Sequence, residues 1–172
     1  YYVFVLTALL PWTFFATAIA NAGNSVVGNE KLITKIYFPR LAVPFAAVIA
    51  AMVDFCVAMP LLLILFAVNG IVPGPGVVLV PVLFFLLALS AAGVGTMLAA
   101  LNVAYRDFRY IIPFLVQLWM YATPTIYFDL NPEINPESKF GWVKQLLPLN
   151  PMTGLIASFR AALEWPAFSP AR

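Results

Sequence analysis

The chain has 172 residues, of which 63% are hydrophobic and 9% are charged, and its formal net charge is +2. Soluble domains carry about a quarter of charged residues, so this composition excludes an ordinary soluble domain and indicates a membrane protein. The small net charge predicts no nucleic acid partner, and one cysteine without any histidine excludes an internal disulfide and predicts no metal site.

Four apolar segments are long enough, or nearly so, to cross about 30 Å of hydrocarbon, which takes about 20 helical residues. They are 1–20, 41–69, 77–101 and 111–128. They lack the alternation of barrel strands, and a spanning backbone must satisfy its own hydrogen bonds, so we predict helices. The predicted fold class is an all-α integral membrane protein with about four spanning helices in a single domain, 1–172.

A basic segment, 28–40, separates the first two apolar segments. It carries Lys31, Lys35 and Arg40. Basic residues in short loops mark the cytoplasmic side of a membrane protein. The segment therefore predicts a charged cytoplasmic surface that a cytosolic partner could contact.

A second short loop, 102–110, supports the same orientation, because Arg106 and Arg109 there outnumber Asp107. The turn at 69–76 carries no charge. Alternating sides then place both basic loops in the cytoplasm and the bare turn outside. The difference is modest, since three more basic residues further along the chain fall on the predicted outer side.

The region after the fourth apolar segment differs from a spanning helix. Residues 129–145 are polar, and 146–165 are apolar but interrupted by Pro148 and Pro151. Proline opposes a long continuous helix. We expect a re-entrant outer segment, formed by short helices that dip into the outer leaflet or lie along it.

Asp54 is an acid in the middle of the second apolar segment. An ionisable residue inside a membrane is a functional candidate, because placing it there costs free energy. Two interpretations remain open: a structural pairing with a neighbouring helix or hydroxyl, and a proton site of a gradient-driven transporter.

Small residues recur four apart at Ala91, Gly95 and Ala99. This spacing lets two helices approach closely. The partner helix is either in the same chain or in a second copy. The many aromatic residues are typical of side chains that face lipid or anchor helices at the membrane interface. Alternatively, they could line a conduit in which their rings stack against sugars.

The sequence contains no Gly-x-Ser-x-Gly element, no phosphate-binding Gly-rich loop with lysine and no metal-ligand cluster. We therefore expect a transport subunit rather than an enzyme. If ATP drives the transport, a separate protein would hydrolyse it.

Three blocks in order resemble the permease subunits of ABC exporters of cell-surface polysaccharides, namely lipopolysaccharide O-antigen, capsule and teichoic acid. The blocks are NAGNSVVGNEKLITKIYFPRLAVP at 21–44, LNVAYRDFRYIIPFLVQLWMYATPTIY at 101–127 and LNPMTGLIASFRAAL at 149–163. The resemblance implies a six-helix permease of the cell inner membrane that forms a homodimer and docks a separate ATPase. The family's first and last spans are not visible here, so we expect a fragment.

The resemblance also implies roles for individual residues. The ATPase-coupling loop would comprise Gly28, Asn29, Lys31, Lys35, Phe38, Pro39 and Arg40. The second cytoplasmic turn would contain Arg106 and Asp107, and the outer re-entrant gate would contain Pro124, Tyr127, Asn150 and Pro151.

The implied function is ATP-driven export of a lipid-linked polysaccharide. The expected partners are the ABC ATPase, a second permease copy, membrane lipid and the lipid-linked substrate, and ATP with Mg would bind to the ATPase rather than to this chain. The alternatives are an ABC permease for drugs or lipids, a proton-coupled secondary transporter that uses Asp54, and a structural assembly subunit.

Overall fold

The computed structural model describes residues 2–31, 39–70, 75–105, 107–123 and 150–164. This part of the chain is helical and contains no strand, so the predicted all-α class is confirmed. Its helices are α1 (Tyr2–Gly28), α2 (Ala42–Val68), α3 (Val80–Ala104), α4 (Phe108–Tyr121) and α5 (Pro151–Glu164), with a 3₁₀ turn (Pro75–Leu79) leading into α3.

Within the described ranges, three helices are long and apolar enough to cross a membrane. The qualifying stretches are Val5–Gly28, Ala42–Val68 and Pro75–Ala104, with 24, 27 and 30 residues. At a rise of 1.5 Å per residue, about 27 residues extend about 40 Å, which exceeds the hydrocarbon thickness. They correspond to the first three predicted spans.

The fourth predicted span stays a prediction. The described residues there form α4, whose 14 residues extend only about 21 Å. The remainder of that segment, 124–128, lies outside the described residues. The structure therefore supports a multi-pass protein with three candidate spans.

Helix α1 is longer than its apolar segment, and the prediction that it ends near Ala20 is wrong. The Asn24 amide and the Ser25 hydroxyl donate to the carbonyl oxygens of Ala20 and Ala22, at 3.0 and 2.7 Å. Polar side chains satisfied in this way do not interrupt a helix. Gly28, which was predicted in the loop, is consequently the last residue of α1.

Helix α1 lies at the centre of the bundle and contacts each of the other four described helices. The small residues Ala91, Gly95 and Ala99 of α3 are all buried, and Gly95 faces α1. A Cβ atom at Gly95 would lie 2.7 Å from the Ala22 Cβ. Packing within one chain is thus seen at Gly95, and the alternative of a seam between two copies stays a prediction.

A cluster of phenylalanine rings joins four helices. The rings of Phe55 on α2 and Phe84 on α3 stack with centroids 4.3 Å apart. Phe14 of α1 and Phe159 of α5 meet Phe55 edge-on, at 5.5 and 6.0 Å. Such ring pairs add about 0.5–1.5 kcal/mol to the burial term, so this cluster fixes α5 against the spanning helices.

Helix α5 also packs against the 3₁₀ turn that precedes α3. A Cβ atom at Gly76 would lie 2.6 Å from the Ala162 carbonyl oxygen, so the two backbones are in close contact. Met152, Ile156 and Leu163 form the buried face of α5. The segment after the fourth predicted span therefore contributes one described helix, placed at the end of the bundle where α2 connects to α3.

Candidate functional site

The described charged residues of the two basic loops gather at one end of the bundle. Lys31 follows α1, Arg40 precedes α2, and Asp107 precedes α4, in which Arg109 lies. All four side chains are exposed. The 3₁₀ turn and α5, which carries Arg160, lie towards the opposite end. The predicted difference in charge between the two ends stays a prediction, because residues 124–149 lie outside the described ranges.

A groove of about 500 Å³ opens at this charged end. Its walls are apolar side chains from the ends of α1, α2 and α3, including Val26, Leu41 and Val103. The exposed residues Glu30 and Arg40 also line it. A groove with apolar walls and charged edges suits contact with an amphipathic protein surface.

The coupling segment, residues 28–40, begins and ends in defined geometry. Asn29 donates from its side-chain amide to the Ser25 carbonyl oxygen at 2.8 Å, which continues the hydrogen bonding of α1. The Pro39 carbonyl accepts from the Ala42 amide at 2.9 Å and so forms the turn into α2. No atom lies within 4 Å of a Cβ built on Gly28.

Other predicted residues lie outside the described ranges. These are Lys35 and Phe38 of the coupling segment, Arg106 of the second turn, and Pro124 and Tyr127 of the predicted outer gate. Of the second turn, the structure describes Asp107, which is exposed and accepts from the Tyr110 amide through its carbonyl at 3.1 Å.

Asn102 is a residue that sequence reasoning missed. Its side chain is 1% exposed, and its amide nitrogen donates to the Gly23 carbonyl oxygen at 2.9 Å and to Asn24 Oδ1 at 3.1 Å. These bonds join the end of α3 to α1 just before the coupling segment. A lone asparagine near the end of an apolar span was the available signal, but its partners are 78 and 79 residues away.

Helix α4 docks at the same place. A Cβ atom at Gly23 would lie 3.0 Å from Ile112 Cδ1 and 3.3 Å from Leu98 Cβ. Ile112 is fully buried. Glycine at this position of α1 therefore permits α3 and α4 to pack closely against it. These two helices hold the end of α1 from which the coupling segment continues.

Asn150 and Pro151, predicted in the outer gate, form the start of α5. Asn150 Oδ1 accepts from the Met152 amide at 3.1 Å. This is the geometry of an asparagine N-cap, and proline suits the first helical position because it has no N–H to leave unsatisfied. The structure thus places the start of α5 here, within the segment where short helices were expected.

The same asparagine ties α5 to the end of α4. Trp119 donates from its indole Nε1 to Asn150 Oδ1 at 3.0 Å, and Asn150 Nδ2 donates to Thr123 Oγ1 at 3.0 Å. The Trp119 ring meets Phe15 of α1 edge-on at 5.3 Å. The end of α4 and the start of α5 therefore form a hydrogen-bonded connection, which lies against the middle of α1.

Asp54 lies near the middle of α2 and is exposed. It lines a groove of about 150 Å³ between α1 and α2, together with Thr13 and Thr17. No hydrogen bond or ion pair joins Asp54 to the residues that the structure describes, so the predicted structural pairing is not seen among them.

These features define a multi-pass helical membrane protein with charged residues at one end, a connection between α4 and α5 against the middle of α1, and a groove between α1 and α2 that Asp54 lines. The chain is similar to proteins named O-antigen export system permease protein RfbA. The relative from Myxococcus xanthus is 34% identical over 158 residues, which cover 92% of this chain and 59% of the relative.

Two relatives of the same name from Klebsiella pneumoniae are 30% and 28% identical over 162 residues, covering 93% of this chain and 60% of each relative. The chain thus spans about three fifths of the length of these curated relatives. No protein-family model matches it. The resemblance drawn from the three sequence blocks is confirmed.

Proposed function

We propose that this chain is the membrane-spanning part of a permease subunit in an ABC exporter that moves a lipid-linked polysaccharide, such as O-antigen, across the cell inner membrane. The observation that carries the proposal is the similarity to O-antigen export permeases over 92% of the chain. ATP and Mg bind to a separate ATPase, and this chain transports without catalysing a reaction. The proton-coupled alternative is not favoured, because the relatives are named as permeases of an export system.

The geometry supports a mechanical role for the coupling segment. Its start is continuous with α1, and α1 is a single helix that reaches the opposite end of the bundle. Asn102 and Ile112 hold its base against α3 and α4. Because packed helices move as rigid bodies, a force on the segment from the ATPase would displace α1 as a unit.

The proposed assembly has two permease copies and a conduit along their facing helices. The complete subunit would have six spanning helices, with a re-entrant segment that includes α5 and covers the outer exit of the conduit. The connection of Trp119 to Asn150 would then link movement of α4 to that cover. Closure of the paired ATPases would move the coupling segments, open the path and advance the polymer.

The test is co-purification of the ATPase with the full-length permease in detergent. Arg40→Glu reverses a charge at the exposed edge of the coupling segment, whereas Arg40→Lys retains the charge and serves as the matched control. We expect ATPase activity to co-purify with the unaltered protein and with the lysine variant, and to be lost with the glutamate variant. No ATPase with any of the three would refute the exporter assignment.

A further inference from the structure

The groove of about 500 Å³ at the charged end, here named the interfacial groove, extends from the helix ends into the membrane. Thr96 of α3 lines it, about two turns or about 12 Å before that helix ends at Ala104. The stretch Pro75–Ala104 has 30 residues, or about 45 Å, so it extends only about 7 Å beyond about 30 Å of hydrocarbon on either side. The interfacial groove therefore reaches from the level of the lipid headgroups to the first part of the hydrocarbon.

The walls of the interfacial groove are apolar at both depths. Leu41 and Val103 line it near the helix ends and are exposed, and Ala100 lines it further in. Exposed apolar surface favours an apolar partner, because contact removes that surface from water. A cytosolic protein reaches the mouth of this groove but not its part inside the hydrocarbon. A lipid reaches both parts.

The mouth of the interfacial groove carries one charged group of each sign. Glu30 follows α1 and Arg40 precedes α2, and both exposed side chains line the groove. A guanidinium group binds phosphate through paired N–H donors, and a carboxylate accepts several hydrogen bonds from an ammonium group. An acid and a base at one mouth therefore complement a zwitterionic headgroup better than an anionic one.

Asn102 contributes an acceptor to the same groove. It lines the groove and is 1% exposed. Its amide nitrogen already donates to the Gly23 carbonyl oxygen and to Asn24 Oδ1. Its own Oδ1 is buried without a hydrogen-bond partner among the residues that the structure describes. Because an unsatisfied buried acceptor is unfavourable, the site favours a ligand that brings an N–H donor.

We infer that the interfacial groove binds one membrane phospholipid with an ethanolamine headgroup. Its phosphate pairs with Arg40, its ammonium group donates to Glu30 and Asn102, and an acyl chain lies along the apolar walls. A lipid bound there contacts α1, α2 and α3 at once, next to both ends of the coupling segment, and so stabilises the base of that segment. This site takes a lipid of the surrounding membrane rather than a transported molecule, so it goes beyond the proposed function.

The first experiment compares headgroups on the full-length protein in detergent. Native mass spectrometry measures binding of phosphatidylethanolamine, phosphatidylcholine and phosphatidylglycerol with identical acyl chains. Phosphatidylcholine keeps the phosphate and the tails but has no N–H donor, and phosphatidylglycerol has no ammonium group. We expect phosphatidylethanolamine to bind at least about 10-fold more tightly than phosphatidylcholine, because a hydrogen bond to a charged group contributes about that factor or more. We also expect it to bind more tightly than phosphatidylglycerol.

The second experiment locates the site with two tryptophan variants. Ala100→Trp places a large side chain inside the interfacial groove. Ala50→Trp is the matched control, since Ala50 is an exposed alanine of α2 that does not line the groove. We expect Ala100→Trp to lose the preference for phosphatidylethanolamine and Ala50→Trp to retain it. Co-purification of the ATPase is measured in the same preparations.

Each contrary outcome overturns a stated part of the inference. Equal affinity for phosphatidylethanolamine and phosphatidylcholine would overturn the headgroup assignment, and so would tighter binding of phosphatidylglycerol. Equal lipid binding by the two tryptophan variants would overturn the location. If Ala100→Trp lost the ATPase but kept the lipid preference, the groove would be a contact surface for the ATPase instead. The exporter assignment fails separately, through absence of an ATPase from the unaltered protein.

Discussion

Asn102 provides the sharpest test of how the charged end is held together. Its amide nitrogen donates to two acceptors on α1, the Gly23 carbonyl oxygen and Asn24 Oδ1. Its own Oδ1 is buried and has no hydrogen-bond partner among the residues that the structure describes. Because the Gly23 oxygen can only accept, the nitrogen must face it, and this fixes the orientation of the amide.

The magnitudes predict an order between two substitutions. Interhelical hydrogen bonds in membranes contribute about 0.6 kcal/mol on average, and two of them about 1.2 kcal/mol. Asn102→Leu loses both bonds but removes a buried unsatisfied oxygen, which itself costs about 1–3 kcal/mol. We therefore expect Asn102→Leu to change the free energy of unfolding by no more than about 1 kcal/mol.

Asn102→Asp should lower the free energy of unfolding more than Asn102→Leu does. It places a carboxylate against two acceptors on α1, and leaving a buried charge uncompensated costs about 3–5 kcal/mol. Thermal unfolding of the full-length permease in detergent measures the order, with Val103→Leu as the control because Val103 is exposed. Equal stability of the leucine and aspartate variants would refute the assigned hydrogen bonds.

Three further tests, with five substitutions in all, probe the packing and the helix ends. Gly95→Leu should lower the stability by about 1–3 kcal/mol, because a Cβ there would lie 2.7 Å from a methyl group of α1. Gly93→Ala is the control and should not lower the stability, because the space around Gly93 is open. The unfolding temperatures of the two variants measure the difference. Asn150→Ala should cost about 1 kcal/mol or more by removing the cap on the Met152 amide, and Asn150→Asp should restore most of it, so equal losses would contradict the cap. Gly28→Ala should leave the stability unchanged or raise it by up to about 1 kcal/mol, because alanine favours a helix and the site is open. Export by the same variant should fall if the end of α1 transmits force. Normal export would show that Gly28 has no role in the coupling mechanism.

Much of the helical arrangement could be predicted from the sequence. The length of the apolar segments and their near absence of charged residues locate α2 and α3 to within a few residues. A helix that crosses a bilayer of fixed thickness needs both properties. Short helices were expected within 146–165, but the start of α5 at Pro151 was not predicted. The end of α1 could not be predicted, because Asn24 and Ser25 are compatible with either a loop or a helix until their hydrogen bonds are known.

Some residues of the candidate site could also be predicted from the sequence, whereas their contacts could not. The coupling segment was found from charge and from the resemblance, and Asn150 was found from the resemblance alone. The contacts of Asn150 with Trp119 and Thr123 bridge 31 and 27 residues, and no local pattern encodes them.

The sequence by itself determined that this is a helical membrane protein, where its long helices lie, which end is basic and which permeases it resembles. Only the tertiary structure decided that Gly95 faces α1 and that Asp54 shares a groove with Thr13 and Thr17. The physical reason is that α2 and α3 are almost uniformly apolar around their circumference. Without an amphipathic stripe, periodicity carries no information about which face is buried, and the facing of each residue is set by the helices that pack beside it.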